Sequence, residues 1–579
     1  MYADVRLQHI GIVQLKQIRL SMNTPETFDF KFYEWEEKFR DKPFLKQPFG
    51  DEWEIYTWGE VGQYARKLAT GLRSLGLREN AHIGLISKNC REWIIADLAI
   101  VMAGYISVPF FPNLTSGEIN TLLTFGDVDL LFAGKVEDWE EQKAGVPQGM
   151  PIISFPTYKG CSDITEGHQW FDFINKHEPL QEPHKPKLSD VWTIIFTSGT
   201  TGNPKGVVLD YLANQSTAEL TIDTNALKID FKGNNTFFSY LPLNHIAERV
   251  VVEYAVFRFG GTLSFAENLD TFAKNLQETQ PTVFFAVPRI WTKFQMGILS
   301  KIPQEKLSKL LKIPVLSWVL KRKFKKALGL SKARSIVSGA APLQETQRTW
   351  FRKIGVSITN GYGMTENCAI TTHLGDGIID KPGSVGLAQP GVELKIDSET
   401  SEILMRGPFM MKEYYKQPEL TAEVIKESWL HTGDQGHIDA DGFLFITGRV
   451  KDIFKTSKGK YIEPLVLEGY FGDILEFEQI CVAGLGLPQP ICLGVLSEIG
   501  LAKPKDELQK HFSDYLEKVN AQLPGYKKIS TLILVKDPWA VENGLMTPTL
   551  KIKRNKIDKA YEVNYMNWHQ DEANIIFEK

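Results

Sequence analysis

The sequence predicts an α/β fold with a large N-terminal domain of parallel-rich sheets and a smaller α+β C-terminal domain. Short apolar segments alternate with longer segments of helical periodicity, which is typical of βαβ units. The chain has 579 residues, more than one hydrophobic core usually supports, so at least two domains are expected. After Gly448 the sequence becomes more polar and carries its own strand and helix patterns. We therefore predict domains at residues 1–449 and 450–579.

The first βαβ unit is predicted from residues 82–87 and 93–111. The second segment contains a single charge, Asp97, and is close to the length that spans a bilayer. Gly104 is placed to end a helix of about a dozen residues, and a short buried strand follows until Pro109 stops it. The segment is therefore predicted to be buried core. Further strands are predicted near Val128, at 282–287, at 333–338 and, in the second domain, in Q-I-C-V-A-G and S-T-L-I-L-V-K.

The composition is that of an ordinary globular protein, with 43% hydrophobic residues, 23% charged residues and a net charge of −4. Nothing in it indicates a nucleic acid partner. The five cysteines are scattered without C-x-x-C spacing, which argues against a disulfide framework or a zinc site and favours a reducing compartment. The first residues lack the apolar region of a signal peptide. We therefore predict a cytoplasmic protein.

Residues 197–206 read T-S-G-T-T-G-N-P-K-G, and an apolar, β-branched segment of strand type precedes them. Glycines let backbone N–H groups converge on phosphate oxygens, the hydroxyls add donors, and Lys205 adds a mobile positive charge. A P-loop is disfavoured because Pro204 stands where that motif needs its second glycine. The pattern favours a nucleotide phosphate site, with a flexible polar surface loop as the alternative.

This segment resembles the phosphate loop of the adenylate-forming superfamily, which includes acyl-CoA synthetases, firefly luciferase and nonribosomal peptide adenylation domains. Six more segments resemble that family's motifs in the expected order: L-P-L-N-H-I-A-E-R at 241–249, S-G-A-A-P at 338–342, N-G-Y-G-M-T-E at 360–366, H-T-G-D at 431–434, G-R-V-K-D at 448–452 and T-P-T-L-K-I-K-R at 547–554. The resemblance covers nearly the whole chain. Several motif variants, including P-T-V-F-F-A-V-P-R-I-W at 281–291, resemble the long-chain fatty acyl-CoA synthetase branch.

The resemblance implies an adenylate-forming synthetase fold and an AMP-forming acid:thiol ligase. Its substrates would be a fatty acid, ATP and coenzyme A, with Mg²⁺ as the metal. The acid would first attack ATP to give acyl-AMP and pyrophosphate, and a thiol would then displace AMP. An acyl-(acyl carrier protein) ligase and a fatty acyl-AMP ligase would keep the same motifs and remain alternatives, and a non-enzymatic acyl or nucleotide sensor is disfavoured.

The resemblance also implies roles for particular residues. Thr365 would meet the α-phosphate, and Glu366 would be the metal-associated carboxylate together with Thr201; taken alone, Glu366 would be an ordinary surface carboxylate. Asp434 would accept the ribose hydroxyls beside Arg449, although a structural salt bridge is the alternative for both. The ATP phosphates would contact Thr197, Ser198, Gly199, Thr200, Thr201, Gly202 and Lys205, and the adenine would contact Gly339, Ala340, Ala341, Gly361, Tyr362 and Gly363.

The last motif carries the predicted adenylation lysine, Lys551, which would bridge the carboxylate and the α-phosphate. Its alternative is a solvated basic face formed with Lys553, Arg554 and Lys556. Lys451 occupies the family's hinge position. The resemblance places His245, Glu248 and Arg249 near the acyl and thiol channels and moves Lys458 and Gly459 toward the thiol channel in the second half-reaction. A capping or packing role is the alternative for His245.

Between Glu305 and Arg334 the chain has ten Lys or Arg and one acidic residue, interleaved with apolar positions. Such a stretch suits an anionic membrane surface. Pro303, Pro314 and Gly329 divide it into short helices, so a solvated helical face is an equal alternative. We therefore predict a cytoplasmic protein and keep peripheral contact with the inner membrane face as an additional possibility.

Overall fold

The computed structural model describes residues 28–197, 204–375, 378, 380–472, 474–541, 543–547, 551–571 and 573–578. The α-helices are α1 Phe28–Lys38, α2 Trp58–Ser74, α3 Arg91–Ala103, α4 Ser116–Phe125, α5 Trp139–Gln142, α6 Trp170–Asn175, α7 Tyr211–Thr224, α8 Ile246–Glu248, α9 Ala255–Phe259, α10 Phe272–Thr279, α11 Pro288–Leu299, α12 Gln304–Leu311, α13 Pro314–Ala327, α14 Glu345–Lys353, α15 Pro418–Val424, α16 Pro464–Gly469, α17 Glu498–Leu501, α18 Lys505–Asn520 and α19 Arg554–Gln570.

The strands of the N-terminal part are β1 Pro43–Phe49, β2 Glu52–Thr57, β3 His82–Ile86, β4 Ile106–Phe110, β5 Val128–Ala133, β6 Ile152–Ser154, β7 His168–Gln169, β8 Val191–Thr197, β9 Lys205–Asp210, β10 Thr236–Ser239, β11 Thr262–Phe265, β12 Val283–Ala286, β13 Ser335–Ser338, β14 Thr359–Asn360, β15 Thr372–His373, β16 Leu387–Ala388, β17 Glu393–Ile396, β18 Glu402–Arg406, β19 Glu413–Tyr414, β20 Ile425–Lys426, β21 Trp429–Ile438 and β22 Leu444–Arg449. The C-terminal part contains β23 Phe454–Lys455, β24 Tyr461–Ile462, β25 Phe477–Ala483, β26 Ile491–Leu496, β27 Leu532–Leu534 and β28 Ile575–Phe577.

The largest sheet has the strand order β19-β9-β8-β4-β3-β5-β6-β7. Six of its strands, β8, β4, β3, β5, β6 and β7, are parallel to one another. Strands β9 and β19 extend the sheet beyond β8 in antiparallel pairs. Strands β3 and β4 are buried along their whole length, as expected for parallel strands covered on both faces. The predicted α/β character of the large domain is confirmed.

The other sheets of the N-terminal part are mixed. Strands β12, β13 and β14 form a parallel sheet, and β10, β11, β1 and β2 form a sheet with one antiparallel pair. Strands β17, β18, β20, β21 and β22 form a sheet of antiparallel pairs. The connections from β17 to β18, from β20 to β21 and from β21 to β22 are too short for the crossover that parallel pairing requires. The sequence pattern did not separate this antiparallel sheet from the parallel ones.

Helix α3 confirms that the long apolar segment is core. All its residues are buried, and Gly104 ends it with φ 85°, a left-handed conformation that favours glycine. The prediction that Pro109 stops the next strand is wrong, because β4 continues to Phe110. Strand β4 pairs with β8 only at Ser107, so its edge beyond that residue accommodates a residue without an N–H. Within the described ranges, each helix is too short or too polar to cross a membrane.

The hydrophobic cores divide the chain into a large and a small part. Among the described residues, three core clusters draw on residues up to Ile446, and two others draw on Phe454 and later residues. The small part is built on the sheet β25-β26-β27-β28, with α18 and α19 beside it. A large domain followed by a smaller α+β domain is therefore confirmed, while the boundary between residues 449 and 450 stays a prediction.

Candidate active site

The predicted phosphate loop joins β8 to β9 at the edge of the largest sheet. Its two ends face each other, since Thr197 pairs with Lys205 across the two strands and its hydroxyl donates to the Lys205 carbonyl at 3.5 Å. The Lys205 ammonium lies 5.5 Å from the ring centroid of Tyr414. The predicted phosphate-binding residues Ser198, Gly199, Thr200, Thr201 and Gly202 lie outside the described residues.

Two of the predicted adenine segments lie side by side. Strands β13 and β14 are parallel neighbours, and the Gly361 N–H donates to the Ser338 carbonyl at 2.8 Å. Residues 339–341 and 361–363 therefore meet where the two strands end, the edge at which α/β sheets bind ligands. Ala340 has φ 64°, a strained conformation of the kind that clusters at functional sites.

Tyr362 and Arg449 converge on Asp434. The Tyr362 hydroxyl donates to Asp434 Oδ2 at 2.8 Å, and Arg449 Nε lies 2.9 Å from Oδ1. Burial, followed by the neighbouring Asp434 charge, raises the pKa of Tyr362 well above its usual range, so its hydroxyl remains a donor. Asp434 is 7% exposed and its carboxylate has further lone pairs for ligand hydroxyls. Asp434 can therefore form the salt bridge with Arg449 and still accept hydrogen bonds from the ribose hydroxyls.

Thr365 and Glu366 lie in a short 3₁₀ helix that follows the second adenine segment. Glu366 Oε1 accepts a hydrogen bond from the Tyr414 hydroxyl at 2.8 Å, and its carbonyl accepts from the Met411 N–H at 2.8 Å. Because the residue is half-buried and anchored through both groups, it is not the ordinary surface carboxylate that the segment alone would indicate.

Tyr414 is a site residue that sequence reasoning missed. It contacts the predicted metal carboxylate through its hydroxyl and Lys205 through its ring. Burial and the Glu366 charge raise the pKa of its hydroxyl, which keeps the donor protonated. The only signal in the sequence was the aromatic pair Tyr414 and Tyr415, and nothing in it indicated that β19 pairs with β9.

The donor set fits Mg²⁺ bound together with phosphates. In the part of the chain that the structure describes, no group of three or more His, Cys, Asp or Glu side chains could hold a metal alone. Mg²⁺ is usually held by one or two carboxylates and by substrate phosphates. Glu366 can supply the carboxylate, with its second oxygen available beside the one bonded to Tyr414.

Lys551 extends from the small domain to this cluster. Two hydrogen bonds to Thr547 hold its backbone: the Thr547 N–H donates to the Lys551 carbonyl at 2.8 Å, and the Lys551 N–H donates to the Thr547 hydroxyl at 3.1 Å. Burial, followed by the Arg449 charge, lowers the pKa of Lys551 to about 8, whereas Asp434 and Glu366 oppose this shift. Lys551 is nevertheless exposed by accessible surface, so solvent screens much of this effect, and what remains is the downward direction of the pKa shift.

Arg554 supports the Lys551 segment and is not part of a solvated basic face. It donates to Glu468 at 2.8 and 3.0 Å and to the Val482 carbonyl at 2.8 Å, and it lies 3.6 Å from Asp452. It therefore connects the start of α19 to α16 and to the turn that follows β22. Lys551 and Lys556 are exposed, as the solvated-face alternative expects for these two residues, whereas Lys553 and Arg554 are partly buried.

His245 performs the predicted capping role. Its Nδ1 accepts from the Ala247 N–H at 3.3 Å at the start of α8. Burial, followed by the Lys551 charge, lowers the pKa of His245 to about 3, so the imidazole is neutral at pH 7 and Lys551 lies close enough to act on it. Contact with a substrate stays a prediction.

Glu248 and Arg249 lie in the core. Both are fully buried. Arg249 donates to both Asp97 oxygens at 2.8 Å, and Glu248 accepts from the Tyr240 N–H at 3.0 Å. Arg249 is thus paired with a charge of another helix and Glu248 with the backbone, and the nearness of both residues to the acyl and thiol channels stays a prediction.

The remaining predicted residues lie in the small domain or at its start. Lys451 is exposed in a 3₁₀ turn directly after β22. Lys458 and Gly459 lie in an exposed turn between β23 and β24, where Gly459 has φ 73°. The Lys458 charge adds to burial in lowering the pKa of His569 in α19, so Lys458 faces the small domain. The roles of Lys458 and Gly459 at the thiol channel stay predictions.

Comparisons with known proteins identify similar sequences and similar folds. The chain is 29% identical to long chain acyl-CoA synthetase 2 of Arabidopsis thaliana over 88% of this chain and 86% of that protein. It is 28% identical to fatty acyl-CoA synthetase B of Dictyostelium discoideum over 88% and 84% of the two chains. Two solved structures share the fold. One, an anthranilate CoA ligase in complex with anthranoyl-AMP, has a TM-score of 0.76 and 22% identity and covers 93% and 98% of the two chains.

The second, the adenylation domain of a carboxylate reductase from Mycobacterium chelonae, has a TM-score of 0.78 and 20% identity and covers 96% and 93% of the two chains. These matches confirm the predicted adenylate-forming synthetase fold. The sequence profile described as AMP-binding enzyme matches residues 32–415, which include the phosphate loop, the adenine segments and Glu366. The chain therefore belongs to the AMP-binding enzyme family.

Proposed function

We propose that the protein is an ATP-dependent, AMP-forming acid:thiol ligase that activates a long-chain fatty acid and transfers it to coenzyme A. The observation that carries the proposal is the cluster in which Tyr362 and Arg449 contact Asp434 and Tyr414 anchors Glu366. The charges of Asp434, Glu366 and Arg449 also act on the pKa of Lys551 from the other domain. A cation brought to two carboxylates and a nucleotide-type site is the arrangement that an adenylation step requires, because negative charge moves between the substrate carboxylate and the α-phosphate.

In the first half-reaction the fatty acid carboxylate attacks the α-phosphate of ATP, giving acyl-AMP and pyrophosphate. The Lys551 ammonium would bridge the attacking carboxylate and the α-phosphate, and Thr365 would donate to the latter. Asp434 would accept the ribose hydroxyls, and Tyr362 would stack on the adenine. The loop that includes Ser198, Gly199, Thr200, Thr201 and Gly202 would hold the β- and γ-phosphates together with Lys205.

Mg²⁺ would be held by Glu366 and the ATP phosphates, with Thr201 as a further ligand. When bound, the ion offsets the charge of the leaving pyrophosphate. Tyr414 would fix the rotamer of Glu366 by donating to one carboxylate oxygen, which leaves the second oxygen directed to the ion.

In the second half-reaction the thiolate of coenzyme A attacks the acyl carbonyl, and AMP leaves with the electron pair of the acyl–oxygen bond. We propose that the small domain first rotates about Lys451, which withdraws Lys551 and brings Lys458 and Gly459 toward the thiol. The turn at Lys451 supports this role, since none of its three residues is buried in a core that would oppose a change of backbone angles.

The long-chain substrate and coenzyme A are supported by relatives named long chain acyl-CoA synthetase and fatty acyl-CoA synthetase. Acyl carrier protein is an alternative acceptor, and release of acyl-AMP to a carrier is the other alternative. A cytoplasmic location is supported by the five cysteines, which are all free thiols. Peripheral contact with the inner membrane face is supported by the exposed basic stretch at 305–334.

The test measures two products from ATP, Mg²⁺ and a series of fatty acids of increasing chain length. Pyrophosphate exchange reports acyl-AMP formation, and thioester formation is followed with coenzyme A and with holo-acyl carrier protein. We expect acyl-CoA from long acids. Lys551→Ala should lower pyrophosphate exchange by about 10²- to 10³-fold, the usual effect of removing one transition-state contact. Lys556→Ala, an exposed lysine in the same segment, is the matched control and should be unaffected.

Each alternative has its own signature in this experiment. Acyl-AMP without acyl-CoA would assign the protein to carrier-dependent ligases, and thioester with carrier protein alone would identify an acyl carrier protein ligase. Absence of pyrophosphate exchange with every acid would exclude the enzyme proposal and favour a sensor.

A further inference from the structure

The corner between α12 and α13 exposes three large apolar side chains close together. Ile313 is 52% exposed, Val315 is 77% exposed and Trp318 is 57% exposed. All three lie within six residues, at the turn and in the first turns of α13. Single exposed apolar residues are ordinary, but a contiguous group marks a site of interaction with a partner or a membrane.

A different face of α13 packs on the core, so core packing does not account for the three exposed apolar side chains. Ser317 and Phe324 are buried, and Phe324 belongs to the core cluster that also contains Trp291 and Leu307. Val315, Trp318 and Arg322 recur at intervals of three and four residues along another face of the helix. That outward face combines several large apolar side chains with cations, whereas the solvated face of an amphipathic helix carries mainly charged and polar residues.

The surroundings of the group are strongly basic. The stretch from Glu305 to Arg334 has ten Lys or Arg against one acidic residue, in a chain whose net charge is −4. The Arg322 guanidinium lies 4.0 Å from the ring centroid of Trp318. Lys306, Lys309, Lys312 and Lys323 are exposed as well. Within the described ranges, the cations from Lys306 to Lys326 make no ion pair with a carboxylate.

We propose that the α12–α13 corner docks reversibly on the surface of an anionic phospholipid bilayer. Ile313, Val315 and Trp318 would enter the boundary between headgroups and acyl chains, where tryptophan is favoured. The surrounding lysines and Arg322 would lie at the level of the anionic headgroups. A second copy of the chain fits this surface less well, because a symmetric contact would bring like charges together.

The position of the corner suits an enzyme with a mobile domain. Helices α12 and α13 belong to the large domain and pack on its second core cluster. Docking through them leaves the small domain and Lys551 free to move. The inference concerns a surface outside the proposed active site, so it can be tested without measuring catalysis.

The experiment is sedimentation of the full chain with vesicles of phosphatidylcholine alone or of phosphatidylcholine mixed with phosphatidylglycerol. We expect binding to the anionic vesicles, which falls as salt is added. Val315→Ser combined with Trp318→Ser should weaken binding by about tenfold or more, because the apolar area that enters the bilayer is lost. The control is Leu269→Ser combined with Val563→Ser, which changes residues 82% and 77% exposed elsewhere, and it should bind like the unmodified chain.

A second pair of variants separates charge from apolar contact. Lys309→Glu with Arg322→Glu should abolish binding to anionic vesicles, whereas Lys510→Glu with Lys536→Glu, an equal change of charge on exposed lysines of the small domain, should have little effect. Unchanged melting temperatures would show that each variant is folded.

Three outcomes would overturn the proposal. They are absence of binding to anionic vesicles, equal loss in the test and control variants, and a dimer in light scattering that the corner variants dissociate without lipid. The last outcome would assign the surface to a second copy. All three are independent of thioester formation, so their occurrence would leave the proposed ligase activity intact.

Discussion

At the scale of single residues, the charge of Lys551 is the property on which the proposed adenylation step depends. Its pKa is lowered to about 8, chiefly by burial, so the ammonium is present below that pH and is lost as the pH rises through it. Deprotonation would remove the cation that bridges the two substrate groups. Because folding lowers this pKa, protonation of Lys551 costs the folded state stability, and this cost develops as the pH falls from the usual lysine pKa of 10.5 to about 8 and is constant below that.

We predict that kcat/KM for pyrophosphate exchange is level near neutral pH and falls above about pH 8, because kcat/KM reports the ionisation of the free enzyme. The comparison is the second half-reaction, measured with preformed acyl-adenylate and coenzyme A. It does not use the Lys551 ammonium and should instead rise with pH as the thiol ionises. A pyrophosphate exchange rate that stays level to pH 9.5 or so, well above the pKa of the lysine, would contradict the role of its charge.

At the scale of elements, helix α3 shows how one buried charge is accommodated in an apolar segment. Asp97 accepts from the Ser107 hydroxyl at 2.6 Å, from the Tyr254 hydroxyl at 2.7 Å and from Arg249 at 2.8 Å. These partners come from β4 and from the π-helical turn Arg249–Tyr254. The helix is thereby joined to the motif segment that carries His245, so the packing of α3 positions one side of the site.

We predict that Asp97→Leu destabilises the large domain by about 3–5 kcal/mol, because it leaves the Arg249 charge buried without its carboxylate. Adding Arg249→Met should recover much of this loss, since both charges are then removed from the core. The measurement is the melting temperature of each variant by calorimetry. If the double variant were as unstable as the sum of the two single variants, Asp97 and Arg249 would not be energetically coupled.

At the scale of the whole molecule, the two domains meet in an arrangement that brings Lys551 to the nucleotide-type site. Arg289 of α11 forms an ion pair with Glu478 of β25. Gln344 packs against Gly472, where an added Cβ would come within 2.6 Å of the Gln344 Cγ. Both contacts would be lost if the small domain rotated as we propose, so they favour the adenylation arrangement over the thiol-transfer arrangement.

We predict that Glu478→Arg slows pyrophosphate exchange relative to thioester formation from preformed acyl-adenylate. The effect should be about two- to fivefold, because Glu478 is partly exposed and such pairs contribute about 1 kcal/mol or less. Combining it with Arg289→Glu restores opposite charges and should restore the ratio of the two rates. Equal slowing of both half-reactions, or no recovery in the double variant, would show that the pair does not select between the arrangements.

Much of the fold and many candidate residues were predictable because they depend on local sequence. The strands at β3, β5, β8 and β13 and the end of α3 at Gly104 follow from apolar runs and a glycine signal. The motif segments that carry Tyr362, Glu366, Asp434 and Lys551 were recognisable by their resemblance to a family. The end of β4 was predicted wrongly at Pro109. A proline disrupts a strand only where its missing N–H would have formed a hydrogen bond to a neighbouring strand, and the sequence does not show which edge of β4 is paired.

By itself, the sequence determined an α/β protein with a small second domain and the chemistry of a nucleotide-binding ligase. The tertiary structure alone decided which of those residues meet. Tyr414 reaches Glu366 only because β19 pairs with β9, and Arg249 lies in the core only because Asp97 lies opposite it. The exposed group at Ile313, Val315 and Trp318 likewise depends on which face of α13 the core covers. Periodicity and motifs record local preferences, whereas contacts between distant segments are fixed by packing and by the pairing of buried charges.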